Sequence, residues 1–361
     1  RDIPLIIDRG RGATLIDVEG RRYLDGTSSI WVNLHGHRRP ELDRAMTAQL
    51  QKIAHSSFLG LSNPPAIELA RELVRVAPRG LTRVFYSDDG STAVEVALKM
   101  AIQYWQQVAP ARPNKNKFVH LASSYHGDTI GAMSVGGVSV FHSRFQPVLF
   151  PSYEAPAPHC YRCPLDLQFP QCQVACTEPI ERLLREHSHE LAALIIEPMV
   201  QAAGGMILAP PGFLRQVREL CTKYEVLLIV DEVATGFGRT GRLFACQHEG
   251  VVPDLMAISN GLTGGYLPLA ATLTTEKIYR AFLGDYAEWR TFFHGHSYTG
   301  NPLACAVALA NLKIFRKDRT LTRLRSRIAQ LRTLLRPLHT LPQVGDIRQC
   351  GFIVGIELVQ D

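Results

Sequence analysis

The sequence lacks any hydrophobic run long enough to cross a membrane as a helix. Such a helix needs about 18 consecutive apolar residues, and polar or charged residues interrupt every apolar stretch well before that length. The first twelve residues, RDIPLIIDRGRG, also lack the apolar core of a signal peptide. We therefore expect a cytoplasmic protein without a membrane partner.

The sequence also lacks a strong charge imbalance. Its formal net charge of +6 is modest for 361 residues, and no basic patch is interleaved with aromatic residues as in many nucleic-acid-binding surfaces. The basic residues concentrate between 313 and 337, where leucines and an isoleucine recur at helical spacing. This pattern predicts a surface helix with a solvated basic face, and we expect no nucleic-acid partner.

Cysteine is too sparse for a disulfide scaffold, since the chain contains only eight. Four stand singly among apolar residues, where we expect buried small hydrophobes: Cys221, Cys246, Cys305 and Cys350. The other four follow the pattern C-x2-C-x8-C-x3-C beside His159: Cys160, Cys163, Cys172 and Cys176. Paired cysteines at short spacing form zinc or iron–sulfur sites. The eight-residue gap is shorter than in a usual zinc ribbon, so free thiols or a redox-dependent disulfide stay open beside a structural metal site.

Apolar strand-like runs alternate with amphipathic helices through most of the chain. A helix near 178–187, a strand at 193–197, a helix at 211–223 and a strand at 227–230 are typical of a parallel sheet with helices on both faces. Residues 1–26 instead predict a short antiparallel meander. We expect an α/β fold with a mostly parallel central sheet and a smaller α+β domain. The predicted divisions are 1–32 and 301–361 for the small domain and 33–300 for the large one.

Polar side chains follow several predicted strands, at the edge where open α/β sheets bind ligands. Asp231 ends the strand at 227–230, and Tyr125 and His126 follow the strand at 117–121. Tyr125 is suited to stack on a planar ring, whereas His126 is either structural or directed at a ligand. Gly90 and Ser91 open a long helix after another strand, and free amides at such a helix start bind phosphate. Ser91 could both cap this helix and donate its hydroxyl.

Two further stretches point to a bulky ligand. The strand at 255–258 ends at Ser259-Asn260, and the glycine-rich turn that follows lets the backbone pass close to a cofactor. Trp31 lies in a loop beside glycine and histidine, where it either lines a pocket or anchors packing between domains.

Six segments, taken in order, resemble the class III aminotransferases of the fold-type I pyridoxal-phosphate enzymes. They are SDDGSTAVEVALKMA, SYHGDTIGAMSV, IIEPMVQAAGGM, LLIVDEVATGFGRTG, SNGLTGGYLPLAATLTT and FFHGHSYTGNPLACA. Trp31, Tyr125 and TGGYLPLAATLTT are similar to the branch that makes 7,8-diaminononanoate in biotin biosynthesis. The resemblance implies a pyridoxal 5′-phosphate cofactor, a small keto acid and an amino donor as substrates, and a homodimer with shared active sites. The donor, S-adenosylmethionine or lysine, is not decided by any residue.

The resemblance also implies roles for individual residues. Asp231 would pair with the pyridine nitrogen, and Gly90, Ser91 and His126 would bind the cofactor. Tyr125 would lie against its ring and line the substrate pocket. The remaining implied contacts are Ser297 with the phosphate of the neighbouring subunit, and Trp31, Arg239 and Gly295 with substrate.

Position 260 departs from the family pattern. The family has a lysine there that forms the Schiff base and moves the proton, and this chain has Asn260. An amide can do neither, so we expect the rate to fall by about 10³-fold or more, as for loss of a positioned general base. The last two predicted strands stop abruptly, and we expect a further C-terminal segment, where the family has its substrate-carboxylate arginine. Three functions stay open: diaminononanoate synthesis, non-catalytic cofactor binding, and transamination of another ω-amino acid or diamine.

Overall fold

The computed structural model describes residues 4–360. The chain begins with an antiparallel meander of β1 Ile7–Arg11, β2 Thr14–Asp17 and β3 Arg22–Leu24. The buried carboxylate of Asp17 holds the second turn, because it accepts the backbone N–H of Glu19 at 3.0 Å and of Arg21 at 2.9 Å. Gly20 completes that turn at a φ of +82°. The predicted meander is confirmed, and residues 1–3 lie outside the described part.

A seven-stranded sheet forms the centre of the molecule, in the order β4-β12-β11-β10-β7-β5-β6. Only β12 runs antiparallel to its neighbours, so the expected mostly parallel sheet is confirmed. Its strands are β4 Leu81–Ser87, β5 Lys117–Leu121, β6 Tyr153–Ala155, β7 Leu191–Ile196, β10 Leu227–Asp231, β11 Leu255–Ile258 and β12 Ala270–Thr275. Two smaller pairs are β8 Val200–Gln201 with β9 Ile207–Leu208, and β13 Val344–Cys350 with β14 Ile353–Leu358.

Helices cover both faces of this sheet. The longer ones are α2 Pro40–Leu50, α3 Pro64–Val76, α4 Gly90–Gln107, α7 Glu178–His187, α8 Phe213–Lys223, α10 Pro302–Lys317 and α11 Thr320–Leu335. The shorter ones are α1 Ser28–Trp31, α5 Ile130–Ser134, α6 Ser139–His142 and α9 Glu276–Ala281. Short 3-10 turns occupy Ser143–Val148, Ala175–Thr177, Ala245–His248, Tyr286–Glu288 and Arg336–Thr340.

The central strands bury side chains on both sides. In β10, Leu228 and Val230 belong to the apolar cluster that includes residues of α3, α7, α8 and α10, whereas Leu227 and Ile229 belong to the cluster that includes α4 and α9. Strands buried on both faces read as continuous apolar runs, which is why their sequences lack polar alternation. The two layers of helices hold the carboxyl ends of the strands in fixed register.

Two long helices, α3 and α10, begin where an asparagine side chain caps them. Asn63 accepts the N–H of Ala66 at 3.0 Å before α3, and Asn301 accepts that of Ala304 at 3.1 Å before α10. A proline follows each of these caps, as its fixed φ and missing N–H favour at a helix start. α11 has no buried residue, so the predicted surface helix is confirmed. Across residues 4–360, no helix combines the length and apolar character needed to cross a membrane.

Candidate active site

The carboxyl ends of β5, β7, β10 and β11 surround a cavity of about 420 Å³. Its lining comes from the N-terminal turn, the start of α4 and the loops after these strands: Ser29, Ile30, Trp31, Val32, Asp89, Gly90, Ser91, Tyr125, His126, Gly127, Glu197, Ala203, Asp231, Val233, Ala234 and Asn260. Six residues predicted from the sequence meet in this cavity besides Asn260, and they come from positions 31 to 231 of the chain. The sheet therefore assembles the site that the strand-end argument predicted.

Asp231 and His126 form a buried pair on one wall of the cavity. His126 Nδ1 lies 2.7 Å from Asp231 Oδ2, and Asp231 Oδ1 accepts the backbone N–H of Val233 at 3.0 Å. The two side chains are almost completely excluded from solvent. His126 Nε2 is buried without a partner among the described residues. This pair places a carboxylate and an imidazole side by side on the cavity wall.

The start of α4 forms the opposite side of the cavity. The capping side chain is that of Asp89, which accepts the N–H of Thr92 at 2.9 Å while its own N–H donates to Thr92 Oγ1 at 3.1 Å. The prediction that Ser91 caps the helix is therefore wrong: its hydroxyl instead accepts the N–H of Asp128 at 3.2 Å. The hydroxyl proton of Ser91 stays available to a ligand in the cavity.

Two glycines keep this side of the cavity open. A Cβ on Gly90 would lie 2.6 Å from Val233 Cγ1. A Cβ on Gly127, whose φ is +122°, would lie 2.0 Å from Ser91 Oγ. Larger residues would displace both Ser91 and the backbone amides at the start of α4. The geometry suits a phosphate at the helix N-terminus.

Tyr125 is held by hydrogen bonds of both its backbone and its side-chain hydroxyl. Its backbone N–H donates to Glu197 Oε1 at 3.0 Å, and its hydroxyl donates to Asp128 Oδ2 at 2.9 Å. Burial and the Asp128 hydrogen bond raise the pKa of the Tyr125 phenol well above its ordinary value. The ring is thus a neutral, fixed wall of the cavity.

Glu197 is a cavity residue that the sequence reasoning missed. It follows β7 directly, just as Asp231 ends β10, so its place after a buried strand was a signal that pointed to it. Burial raises the pKa of the Glu197 carboxyl to about 7. His126 lowers this pKa and Asp231 raises it.

A second cavity of about 470 Å³ adjoins the first and shares Trp31 and Ala234 with it. Arg239 lies in its wall, donating to Ser28 Oγ at 3.2 Å and to the Asn33 carbonyl at 3.4 Å. Its Nε has no partner, and no carboxylate of the described residues forms an ion pair with it. Burial lowers the pKa of Arg239 to about 10, while the charge of Asp25 raises it. A buried guanidinium in this state favours an anionic ligand.

Two predicted contacts lie outside both cavities. Gly295 and Ser297 are exposed on the loop before α10 and line neither space. The neighbouring Phe293 and Tyr298 are also exposed, at 66% and 60% of their full surface. Within one chain, these residues do not complete the site.

The four clustered cysteines and His159 line a third cavity, which is far smaller than the two described above. No set of three or more His, Cys, Asp or Glu side chains within residues 4–360 could hold a metal ion. The possible metal site at Cys160, Cys163, Cys172 and Cys176 is therefore wrong for this structure. Cys160 is exposed whereas Cys176 is buried, and burial raises the pKa of Cys176 to about 12, so a thiol rather than a metal-binding thiolate is favoured there. Of the scattered cysteines, Cys350 is half-buried and the other three are buried as expected.

Comparison with known proteins places this geometry in a family. The model of the class-III aminotransferases matches residues 1–361. The adenosylmethionine-8-amino-7-oxononanoate aminotransferase of Nitratidesulfovibrio vulgaris is 57% identical over 358 residues, which are 99% of this chain and 66% of that protein. The enzyme of the same name from Geobacter sulfurreducens is 54% identical, over 99% of this chain and 79% of that protein.

Solved structures agree with the sequence matches. The crystal structure of adenosylmethionine-8-amino-7-oxononanoate aminotransferase from Methanocaldococcus jannaschii is 46% identical with a TM-score of 0.93, covering 100% of this chain and 80% of that one. A thermostable (S)-enantioselective omega-transaminase from Thermomicrobium roseum is 37% identical with a TM-score of 0.93, covering 100% and 79%. The chain spans about two thirds to four fifths of the length of these relatives. It belongs to the class-III aminotransferases, a family of pyridoxal-phosphate-dependent enzymes with the fold-type I architecture.

Proposed function

We propose that the cavity at the carboxyl edge of the sheet binds pyridoxal 5′-phosphate, and that the site is built to transfer an amino group to 8-amino-7-oxononanoate. The observation that carries this proposal is the buried Asp231–His126 pair, 2.7 Å apart, facing the open start of α4 across one cavity. Relatives at 57% and 54% identity whose names specify this keto acid support the choice of substrate. S-adenosylmethionine or lysine is the proposed amino donor.

The residues of the cavity fit the cofactor. Asp231 would accept a hydrogen bond from the protonated ring nitrogen. His126 Nε2, which has no partner among the described residues, would offer a further polar contact beside it. Ser91 and the amides at the start of α4 would bind the phosphate in the space that Gly90 and Gly127 keep free. When bound, pyridoxal phosphate supplies an electron-withdrawing ring that stabilises negative charge at the substrate carbon.

The protein supplies binding and orientation around that chemistry. Tyr125 closes one side of the cavity with a ring whose hydroxyl is engaged by Asp128, so it presents an apolar face. Arg239, lacking an acidic partner in the adjoining cavity, would bind an anionic group of the substrate. Trp31 borders both cavities and would line the path between cofactor and substrate.

Asn260 is the feature that separates this chain from an ordinary member of the family. It lines the cavity at the end of β11, where a lysine amine would both link to the cofactor and move the proton. An amide has no titratable proton near neutral pH and is not a nucleophile. We infer that this chain binds the cofactor without a covalent link and turns over slowly. A non-catalytic cofactor-binding role is the second candidate, and Asn260 is the observation that favours it.

We also infer a homodimer in which the exposed loop with Gly295 and Ser297 reaches the site of the partner. The exposed aromatic side chains of Phe293 and Tyr298 on the same loop support a buried interface there. Sedimentation of the wild-type chain and of a Phe293→Ser variant tests this inference. A monomeric wild-type chain at micromolar concentration would contradict it.

The function is tested by comparing the wild-type chain with Asn260→Lys, and with Asn260→Met as a control of similar length without an amine. All three should bind pyridoxal phosphate, but borohydride should fix the cofactor only onto Asn260→Lys. That variant should convert 8-amino-7-oxononanoate about 10³-fold faster than the other two, since it alone has a positioned base. Borohydride labelling of the wild-type chain would refute the role given to Asn260. Turnover of diamines or ω-amino acids by Asn260→Lys, without turnover of the keto acid by either donor, would replace the proposed substrate.

A further inference from the structure

Glu197 joins two loops of the cavity through its two carboxyl oxygens. Oε1 accepts the backbone N–H of Tyr125 at 3.0 Å, and Oε2 accepts that of Ala202 at 2.8 Å. The first loop follows β5 and carries the aromatic wall, and the second follows β7. Only 6% of Glu197 is exposed, so both bonds are largely shielded from bulk solvent. The carboxyl thus fixes Tyr125 relative to the sheet.

The charged groups that face Glu197 come from the neighbouring strand ends. They are His126 after β5 and Asp231 at the end of β10. No lysine or arginine of the described residues forms an ion pair with Glu197, although both of its oxygens accept a backbone N–H. The imidazole of His126 is hydrogen-bonded to Asp231 and not to Glu197, so an ionised Glu197 lacks a cation of its own.

We propose that Glu197 is a positioning residue of the cofactor site that gives up its proton to solvent when a cationic ring is bound at Asp231. The inference rests on the proposed binding of pyridoxal phosphate in this cavity. A positive ring nitrogen beside Asp231 would relieve the repulsion between the two carboxylates, and so would favour the ionised form of Glu197. By linkage, ionisation of Glu197 strengthens the binding of the protonated ring by the same factor.

The proton balance of binding makes the inference measurable. A carboxyl that is half-ionised in the free chain near pH 7 and ionised in the complex releases about half a proton for each cofactor bound. The burial of the carboxyl, which raises its pKa to about 7, places this release in an accessible pH range. Protons that leave the cofactor itself are common to all variants of the chain and cancel in the comparison.

Calorimetric titration of pyridoxal phosphate into the chain, in two buffers of different ionisation enthalpy, counts these protons. We expect Glu197→Gln to release about half a proton fewer than wild type near pH 7. Glu232→Gln is the matched control, because Glu232 is also a fully buried carboxyl that accepts two backbone N–H groups, from Ala245 and Cys246, but does not line the cavity. It should release as many protons as wild type. Equal release by wild type and Glu197→Gln would overturn the proposal.

A second measurement needs neither the cofactor nor the glutamine variant. Carbon-13 NMR of a chain labelled at the glutamate side-chain carboxyls should show one buried carboxyl that titrates near pH 7, and Glu197→Asp should remove that signal. If Glu197 titrates in its ordinary range in the free chain, the proposal fails even when pyridoxal phosphate binds. If the carboxyl titrates near pH 7 but pyridoxal phosphate does not bind, the proposed function fails. The two failures are thereby distinguished.

Discussion

Replacing Glu197 by glutamine should change how the stability of the cofactor-free chain depends on pH. Burial raises the pKa of this carboxyl from 4.5 to about 7 in the folded chain. The folded state then holds a proton that the unfolded state has lost, so the free energy of unfolding falls as the pH rises through this range. The full shift corresponds to about 3 kcal/mol, most of which is lost between about pH 5 and pH 8. Glutamine carries no such proton and should lack this loss.

Urea denaturation of both chains at several pH values provides the measurement. The stability of wild type minus that of Glu197→Gln should fall by roughly 2 to 3 kcal/mol from about pH 5 to pH 8, while other titrating groups cancel. An amide in place of the carboxyl also loses one hydrogen-bond acceptor, but that cost is the same at every pH. Glu68→Gln, at an exposed position of α3, serves as a surface control. A constant difference between wild type and Glu197→Gln across this range would show that Glu197 is ionised throughout, which refutes the reasoning.

Three other substitutions test separate parts of the structure. In the Asn260→Lys background, Arg239→Gln should raise the KM for a carboxylate-bearing substrate by about 10- to 100-fold, because it removes a charged hydrogen bond, and the KM for an amine without a carboxylate should stay unchanged. Gly127→Ala should weaken cofactor binding about tenfold in an absorbance titration, since its Cβ would meet Ser91 Oγ at 2.0 Å. Unchanged affinity would refute the proposed binding of the phosphate at Ser91 and the start of α4. Lys115→Met should lower the free energy of unfolding in urea by about 3 kcal/mol or more, because the Lys115 amine donates to the buried carbonyls of residues 188, 191 and 225. Lys117→Met, at a side chain that is 38% exposed and pairs with Glu190, is its control, and an equal loss in both would contradict the account.

The buried central strands could be predicted because the hydrophobic effect dominates their sequences. Leu191–Ile196 and Leu227–Asp231 are apolar on both faces, and such runs bounded by helical patterns have few alternatives to a central parallel strand. The position of Asp231 followed from the second of these strands, and that of Tyr125 followed from the similarly apolar β5. Glu197 satisfies the same rule, and it was missed because its sequence neighbours carry no second polar signal.

Other features depend on contacts that local patterns do not encode. Arg239 reaches Ser28, which is 211 positions earlier in the chain, and only the packed fold sets that distance. The helix cap at Asp89 was available from the sequence as Asp-x-x-Thr, but Ser91 offered a competing hydroxyl within the same turn. The short spacing of the clustered cysteines keeps them near one another in the chain. It does not require their sulfur atoms to point at one shared metal ion, and in the described residues they do not.

The turn that carries Asn260 joins β11 to β12, the one antiparallel hairpin between consecutive strands in the described seven-stranded sheet. Contacts close in sequence form with little loss of chain entropy, so this hairpin can assemble early, whereas the walls at Ser91, Tyr125 and Asp231 must wait for distant strands to pair. Two paired strands, and not the side chain at 260, then hold this turn in place. The backbone at position 260 is therefore set by the pairing of β11 with β12, and Asn260→Lys would place an amine on a turn that these strands already fix.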